Sequence, residues 1–418
     1  MSDTPERSAP ADPRLTFASL SLLFFLVSAG AFSSLGVVLP AMVTELKWNW
    51  TQAGMGYTLL GVACGLASFV PAVLIRRIGV SGSMGVGTLM LVAGFALLAT
   101  AQAIWQYLAG TVLIGTAFAL TTTVPGAHVL TGLFKRQSTV LGAYYTSGAL
   151  GGVAGPLFYV VIHSLTHGWR AYWWMLMAAS AVVGLFAVLT TPGRRRDAPA
   201  ADPPREAAAV PEIQENPHGW TVRRALASPP FYVIVGAYTM CLLINTTAHG
   251  FAVEHLTERA VDAKAAASML SIEALIGAAV SIIGGIVGEK ISAKSLMIFA
   301  LVSITIGMEG LTLARGMDLS GLFLMGVYAV GVGIGVGLTF IASTLLLLQY
   351  FGRRPNLELY SIMCLISTSA AIGPAFGGSI RDRFGDFVLT FEICTLAGLL
   401  VLVATLFIRK PGLPAAAT

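Results

Sequence analysis

Long apolar segments dominate this chain and exclude a soluble fold. Runs of about 20 apolar residues, the length that crosses the hydrocarbon core of a bilayer, recur from end to end. Only 11% of the residues are charged, whereas soluble globular proteins carry roughly 25%. We predict an all-α membrane protein with twelve spanning helices, near residues 15–43, 53–75, 81–101, 105–134, 138–162, 171–189, 231–253, 265–288, 296–314, 319–350, 357–380 and 387–408.

Two consecutive segments recur in the same order later in the chain. The second copies lie about 217 positions downstream of the first. The matching motifs are Leu108-Ala109-Gly110 with Leu324-Met325-Gly326, Phe134-Lys135-Arg136 with Phe351-Gly352-Arg353-Arg354, and Gly155-Pro156 with Gly373-Pro374. Same-direction repeats of several apolar spans are typical of secondary transporters. The sequence therefore predicts two pseudo-symmetric six-helix halves, residues 1–191 and 231–418, separated by a linker at 192–230.

The linker and the basic residues predict the topology. Residues 192–230 hold eight prolines and the triplet Arg194-Arg195-Arg196, so this segment should be solvated, with a short amphipathic turn near 220–227. If the N-terminus is intracellular, twelve spans place 18 Lys and Arg residues inside and 7 outside. Because positive charge favours the cytoplasmic side, we expect a multi-pass inner-membrane protein with both termini and the linker in the cytoplasm.

Twelve spans in two similar halves, joined by a charged linker, resemble the major facilitator superfamily. Local motifs are similar to its monocarboxylate-porter and oxalate/formate-antiporter branch. They are Leu39-Pro40 with Leu46-Lys47-Trp48-Asn49-Trp50, Val222-Arg223-Arg224-Ala225-Leu226 before Pro229-Pro230-Phe231, and Gly373-Pro374 with Gly377 and Asp382-Arg383-Phe384-Gly385. The resemblance implies alternating access to a central cavity, and a monocarboxylate-like or aromatic/apolar organic acid as the solute.

The chain departs from the superfamily pattern at two places. In the loop between helices 2 and 3 the usual acidic residue is replaced, leaving Arg76 and Arg77, whereas the second-half counterpart keeps Glu289 and Lys290. The resemblance assigns these four residues to gating loops. Carboxylate carriers also place an arginine in helix 8, where this chain has Ser281. We therefore favour a solute that is neutral, protonated or largely apolar when it crosses the membrane.

Glu273 is the leading candidate for proton coupling. It lies about nine residues into predicted helix 8, roughly 13 Å along the axis by helical rise. An ionised group in hydrocarbon costs roughly 2.5 kcal/mol or more, so such an acid needs a reason to be there. We expect Glu273 to be buried and unpaired, and therefore suited to carry a proton. The alternative is a structural carboxyl bonded to a neighbouring hydroxyl.

A polar stripe on predicted helix 7 is the leading candidate for solute binding. Tyr238, Asn245 and His249 follow at intervals of seven and four, which places them on one helical face. Tyr145 on helix 5 and Tyr360 on helix 11 are further hydrogen-bonding aromatic candidates. The alternatives are polar contacts between helices for the stripe and plain packing for the two tyrosines.

These observations predict a proton-coupled secondary transporter of a small organic solute, and not an enzyme. Two other functions stay open, namely efflux of amphipathic compounds and a transporter-like membrane sensor. The four cysteines all fall inside apolar spans without metal-ligand spacing, and no phosphate-binding loop occurs, so no metal or cofactor is expected. We expect the partners to be the solute, protons and lipid, with no nucleic acid, and the chain to be a monomer.

Overall fold

The computed structural model describes residues 12–68, 70–134, 137–191, 220–287, 291–352 and 355–412, and within these the chain is helical and contains no strand. We label the long helices α1 to α12. They are α1 Pro13–Leu46, α2 Trp50–Ala67, α3 Val70–Ala99, α4 Ile104–Leu133, α5 Gln137–Thr166, α6 Trp169–Thr190, α7 Pro229–Glu258, α8 Ala263–Val287, α9 Ala293–Leu313, α10 Leu319–Phe351, α11 Asn356–Phe384 and α12 Val388–Phe407. The predicted all-α membrane fold is confirmed.

Polar residues in the short loops set where the helices begin. The Asn49 side chain accepts the backbone N–H of Gln52 at 2.8 Å, and the Gln52 side chain accepts the N–H of Asn49 in return. This reciprocal capping satisfies backbone donors that an α-helix leaves free at its start. Asp318 does the same for α10 by accepting the N–H of Gly321. The apolar runs therefore begin as helices where their flanking residues can cap them.

Four helices are interrupted, a feature that continuous apolar runs do not predict. α1 contains a π-helical turn, Ala29–Ser33, and α3 bends at Gly79, where φ is 80° and ψ is 173°. α4 breaks at Thr122, and α11 contains a short 3₁₀ segment, Thr368–Ala371. In α4 and α11 the interruption lies about one turn before a proline, Pro125 and Pro374, whose ring would collide with the preceding turn of a regular helix.

Eleven of the described helices are long and apolar enough to cross a membrane. α2 is the exception, because its first turn carries Thr51 and Gln52. It nevertheless packs along α4 and α11 inside the bundle. In the sequence it is followed by the first residues of α3, which precede the bend at Gly79. α2 therefore occupies the position of the predicted second span. The short helix Val222–Leu226 matches the turn predicted before α7 and packs against α7 and α11.

The first six helices meet the last six through α1 with α7, α2 with α11, and α5 with α8. Several of these contacts lie at the end of the bundle opposite the chain termini, which we call the distal end. There Gly54 of α2 faces the Pro374 backbone and Gly36 of α1 faces the His249 backbone. These glycines let the backbones approach closely, so the distal end is closed. Residue 191 borders the undescribed residues and residue 231 lies in the first turn of α7, and the division into two halves stays a prediction.

Candidate functional site

Glu273 and His249 form a buried pair between α8 and α7. The Glu273 Oε2 atom lies 2.9 Å from His249 Nε2, and only 2% of the Glu273 side chain is exposed. The expectation that Glu273 is unpaired is therefore wrong. It considered only lysine and arginine as partners, whereas an imidazole on the neighbouring helix fills that role. The two candidates, which the sequence places in separate roles, meet in one site.

Two of the first six helices, α1 and α2, lie against this pair. The backbone of Gly36 in α1 lies directly against the His249 carbonyl, with no room for a side chain. Tyr57 of α2 is 2% exposed and lies close enough to Glu273 to interact with its charge. The Tyr57 hydroxyl donates a hydrogen bond to the Phe32 carbonyl in the π-helical turn of α1. The pair is thus enclosed by elements of both six-helix groups.

Tyr328 of α10 is a further neighbour that sequence reasoning missed. It is fully buried and lies within electrostatic range of Glu273. Among the described residues its hydroxyl has no hydrogen-bond partner. A buried hydroxyl without a hydrogen-bond partner costs about 1–3 kcal/mol of stability, so its presence at this position needs an explanation. A tyrosine inside an apolar run gives no sequence signal that separates this position from ordinary packing.

The polar stripe on α7 divides between two environments. His249 joins Glu273, whereas Tyr238, about 16 Å away along the axis by helical rise, packs against Phe340 with ring centroids 5.3 Å apart. The Tyr238 hydroxyl lies within hydrogen-bonding reach of Tyr360 on α11. Asn245 is half-buried between these two ends. The shared face predicted from helical spacing is present, but its residues do not converge on one point.

Tyr145 and Tyr360 bring the two six-helix groups together near the Tyr238 end of the stripe. Tyr145 of α5 is 45% exposed, and its ring packs against Tyr144 and Phe24 at centroid distances of 5.7 and 6.2 Å. Its hydroxyl lies close enough to that of Tyr360 to interact electrostatically. Three of the predicted tyrosines, contributed by α5, α7 and α11, therefore lie near one another, and we call them the aromatic group.

A profile of the Major Facilitator Superfamily matches residues 20–363. The chain belongs to this superfamily. It is therefore a multi-pass secondary transporter and not an enzyme, and the resemblance stated from the sequence is confirmed at this level. No curated protein sequence matches the chain. Its likeness to individual relatives is thus a likeness of fold.

Solved transporter structures share the fold at low sequence identity. A point mutant of the nucleoside transporter NupG superposes with a TM-score of 0.75 at 14% identity, covering 94% of this chain and 99% of that chain. NupG itself gives 0.73 at 14% identity, covering 95% and 100%. A POT family transporter in complex with 5-aminolevulinic acid gives 0.69 at 13% identity, covering 94% and 97%.

In this major facilitator, the predicted gating residues of the first half lie on an exposed turn. Arg76 and Arg77 are exposed and directly precede the bend at Gly79. Neither takes part in an ion pair within the described residues. Their second-half counterparts, Glu289 and Lys290, lie outside the described residues. A gating role for these four residues stays a prediction.

No group of His, Cys, Asp or Glu side chains suited to hold a metal ion occurs in the described part of the chain. The Glu273–His249 pair can hold and release protons, and the tyrosines can donate and accept hydrogen bonds.

Proposed function

We propose that this chain is a proton-coupled transporter of a small organic solute, in which the Glu273–His249 pair handles the proton. The observation that carries the proposal is the pair itself, buried between α7 and α8 and covered by α1 and α2. Intramembrane ionisable groups are rare because they are costly, and where they occur they commonly mark ion pathways.

The proton count of the pair follows from its burial. With one proton between them, the two side chains have no net charge, whether the proton sits on the carboxyl or on the imidazole. A second proton leaves a net positive charge, and loss of the first leaves a net negative one. Since low-dielectric surroundings disfavour net charge, the enclosed pair should keep one proton. The pair can gain or lose a proton only when movement of α1 and α2 admits water.

The aromatic group of Tyr145, Tyr238 and Tyr360 supports a solute with a flat or apolar body and a few polar groups. Tyrosines offer apolar faces and hydroxyl groups for orientation, the usual lining of a small-molecule site. Together with Asn245, these residues are our proposed solute site. The motifs at 46–50 and 382–385 support a monocarboxylate-like or aromatic organic acid, and Ser281 at the usual arginine position favours its protonated form.

Proton coupling can be tested in proteoliposomes loaded with a pH-sensitive dye. A thermal-shift screen of short-chain monocarboxylates, aromatic acids and nucleosides first identifies a stabilising solute. Addition of that solute should acidify or alkalinise the lumen in step with its movement. Glu273→Gln should abolish accumulation driven by a pH gradient and keep solute exchange, because exchange requires no net proton transfer.

Glu309→Gln is the matched control, since Glu309 is also an acid in a spanning helix but is exposed on α9. It should accumulate solute as the wild type does. Wild-type accumulation by Glu273→Gln would reject the pair as the proton site. Solute binding without any movement across the vesicle membrane would instead favour the sensor.

A further inference from the structure

Asp382, at the last turn of α11, is bonded to the first turn of α2 across the two six-helix groups. Its Oδ1 atom accepts the backbone N–H of Trp50 at 2.9 Å. Its Oδ2 atom accepts the backbone N–H of Thr51 at 2.7 Å and the Thr51 hydroxyl at 2.5 Å. One carboxylate therefore makes three hydrogen bonds to an element that lies more than 300 positions away in the chain.

These bonds complete the capping of α2. The first four N–H groups of an α-helix have no partner within the helix. The N–H of Gln52 is accepted by the Asn49 side chain and that of Asn49 by the Gln52 side chain. Those of Trp50 and Thr51 are left to Asp382. Half of the capping of α2 thus comes from the other six-helix group, through a carboxylate at the positive end of the helix dipole.

The Trp50 side chain is inserted into the last six helices at the same point. Its ring packs edge-on against Phe251 and Phe387, with centroid distances of 5.8 and 5.2 Å. These two phenylalanines stack on each other at 4.7 Å and form one wall. The backbone of Gly378 in α11 lies directly against the Trp50 carbonyl, so only a residue without a side chain fits there.

The last turn of α11 is braced from its own side. Arg381, the neighbour of Asp382, donates from Nε to Glu258 Oε1 at 2.8 Å, at the end of α7. Its guanidinium also lies 5.8 Å from the centroid of the Phe387 ring. The acceptor for α2 is therefore held in place by α7 and by the start of α12, whereas α2 contributes only its first turn.

We propose that Asp382 and Trp50 form a latch that holds the distal end closed and must break each time the transporter opens there. Opening separates α2 from α11, returns the N–H groups of Trp50 and Thr51 to water and withdraws the Trp50 ring. The latch belongs to the gate and not to the proton or solute site. Its test needs no solute, so its failure would leave the proposed function untouched.

Distances between spin labels can measure the gate directly. We would remove the four native cysteines and label Thr100→Cys, in a distal loop of the first six helices, and Leu319→Cys, at the distal start of α10; both positions are exposed. Asp382→Asn removes the charge and should raise the ratio of the long to the short label distance about three- to tenfold, given the strength of charged helix caps. Asp382→Ala, which removes both acceptors, should raise it further.

Asp386→Asn is the matched control. Asp386 is also an exposed aspartate that accepts an N–H at a helix start, that of Val388, but it does so within its own six-helix group. It should leave the label distances unchanged. Equal distance distributions in Asp382→Ala and the wild type would overturn the proposal.

A cross-link across the same contact is a second, independent test, because a disulfide replaces the hydrogen bonds that Asp382→Asn and Asp382→Ala remove. Thr51→Cys combined with Asp382→Cys should form a disulfide on oxidation, since the two side chains touch. The oxidised protein should show only the short label distance, and reduction should restore the long one. A long distance that persists in the fully oxidised protein would show that the gate opens elsewhere.

Discussion

Gly36 shows how a single residue can decide the conformation of the whole transporter. A Cβ atom added there would lie 2.8 Å from the carbonyl carbon of His249, and closer still to its oxygen. Real Cβ atoms do not approach backbone so closely, and the backbone of α7 cannot move aside as a flexible side chain would. The absence of a side chain at Gly36 is thus what allows α1 to cover the Glu273–His249 pair.

Gly36→Ala should therefore disfavour the closed distal end and slow transport severalfold or more, because the cycle must pass through that state. The measurement is initial solute flux, together with the Thr100–Leu319 label distance. Gly236→Ala on α7, where an added Cβ meets nothing within 4 Å, is the control and should behave as the wild type. Unchanged flux in Gly36→Ala would mean that this close approach is not needed in the cycle.

At the scale of elements, the interruptions of the helices matter more than their lengths. The π-helical turn of α1 presents the Phe32 carbonyl to Tyr57. At the break in α4 the Thr122 carbonyl accepts the Tyr144 hydroxyl at 3.0 Å in addition to the backbone N–H of Gly126. These two irregular turns are thus each bonded to a tyrosine of another helix. Within a membrane backbone groups cannot bond to lipid, so such donors help to stabilise irregular turns.

The bend at Gly79 yields a test at this scale. Its φ of 80° and ψ of 173° lie in a region that is essentially restricted to glycine. Gly79→Ala should lower stability by about 1–3 kcal/mol and reduce the temperature of thermal unfolding in detergent. Gly85→Ala in the same helix, with no atom within 4 Å of an added Cβ, should be neutral or slightly stabilising. Equal unfolding temperatures of the two variants would show that the backbone at the bend can change its conformation without loss of stability.

At the scale of the molecule, the orientation in the membrane is the property on which the directions of gating and coupling depend. The bias of basic residues, 18 against 7, places the termini and the 192–230 linker in the cytoplasm. The distal end, with its Asp382–Trp50 latch, would then face outward. This orientation stays a prediction from the charge pattern.

Cysteine labelling of intact cells measures the orientation of the chain in the membrane. A membrane-impermeant thiol reagent should label Thr100→Cys, which lies at the distal end, and should not label Ala200→Cys in the linker until the cells are permeabilised. The reverse pattern would invert the topology and turn the distal latch into a cytoplasmic one.

The sequence alone determined the number, order and kind of the elements. Apolar runs of bilayer length and the repeat of glycine and proline motifs are properties of the sequence, so they predicted a twelve-helix major facilitator. Glu273 and His249 were named singly, as polar residues inside apolar spans. The polar linker and the charge bias likewise follow from amino-acid composition, so they could be predicted from the sequence.

Which residues meet depends on how the helices pack against one another. Helical spacing tells which side chains share a face, but not which face of another helix lies opposite. It therefore placed Glu273 without a partner, and it could not bring Tyr328 to that site or Asp382 to the start of α2. Those contacts depend on the rotation and tilt of whole helices. Packing sets both, because backbones can approach closely only where glycines such as Gly36 and Gly378 leave room.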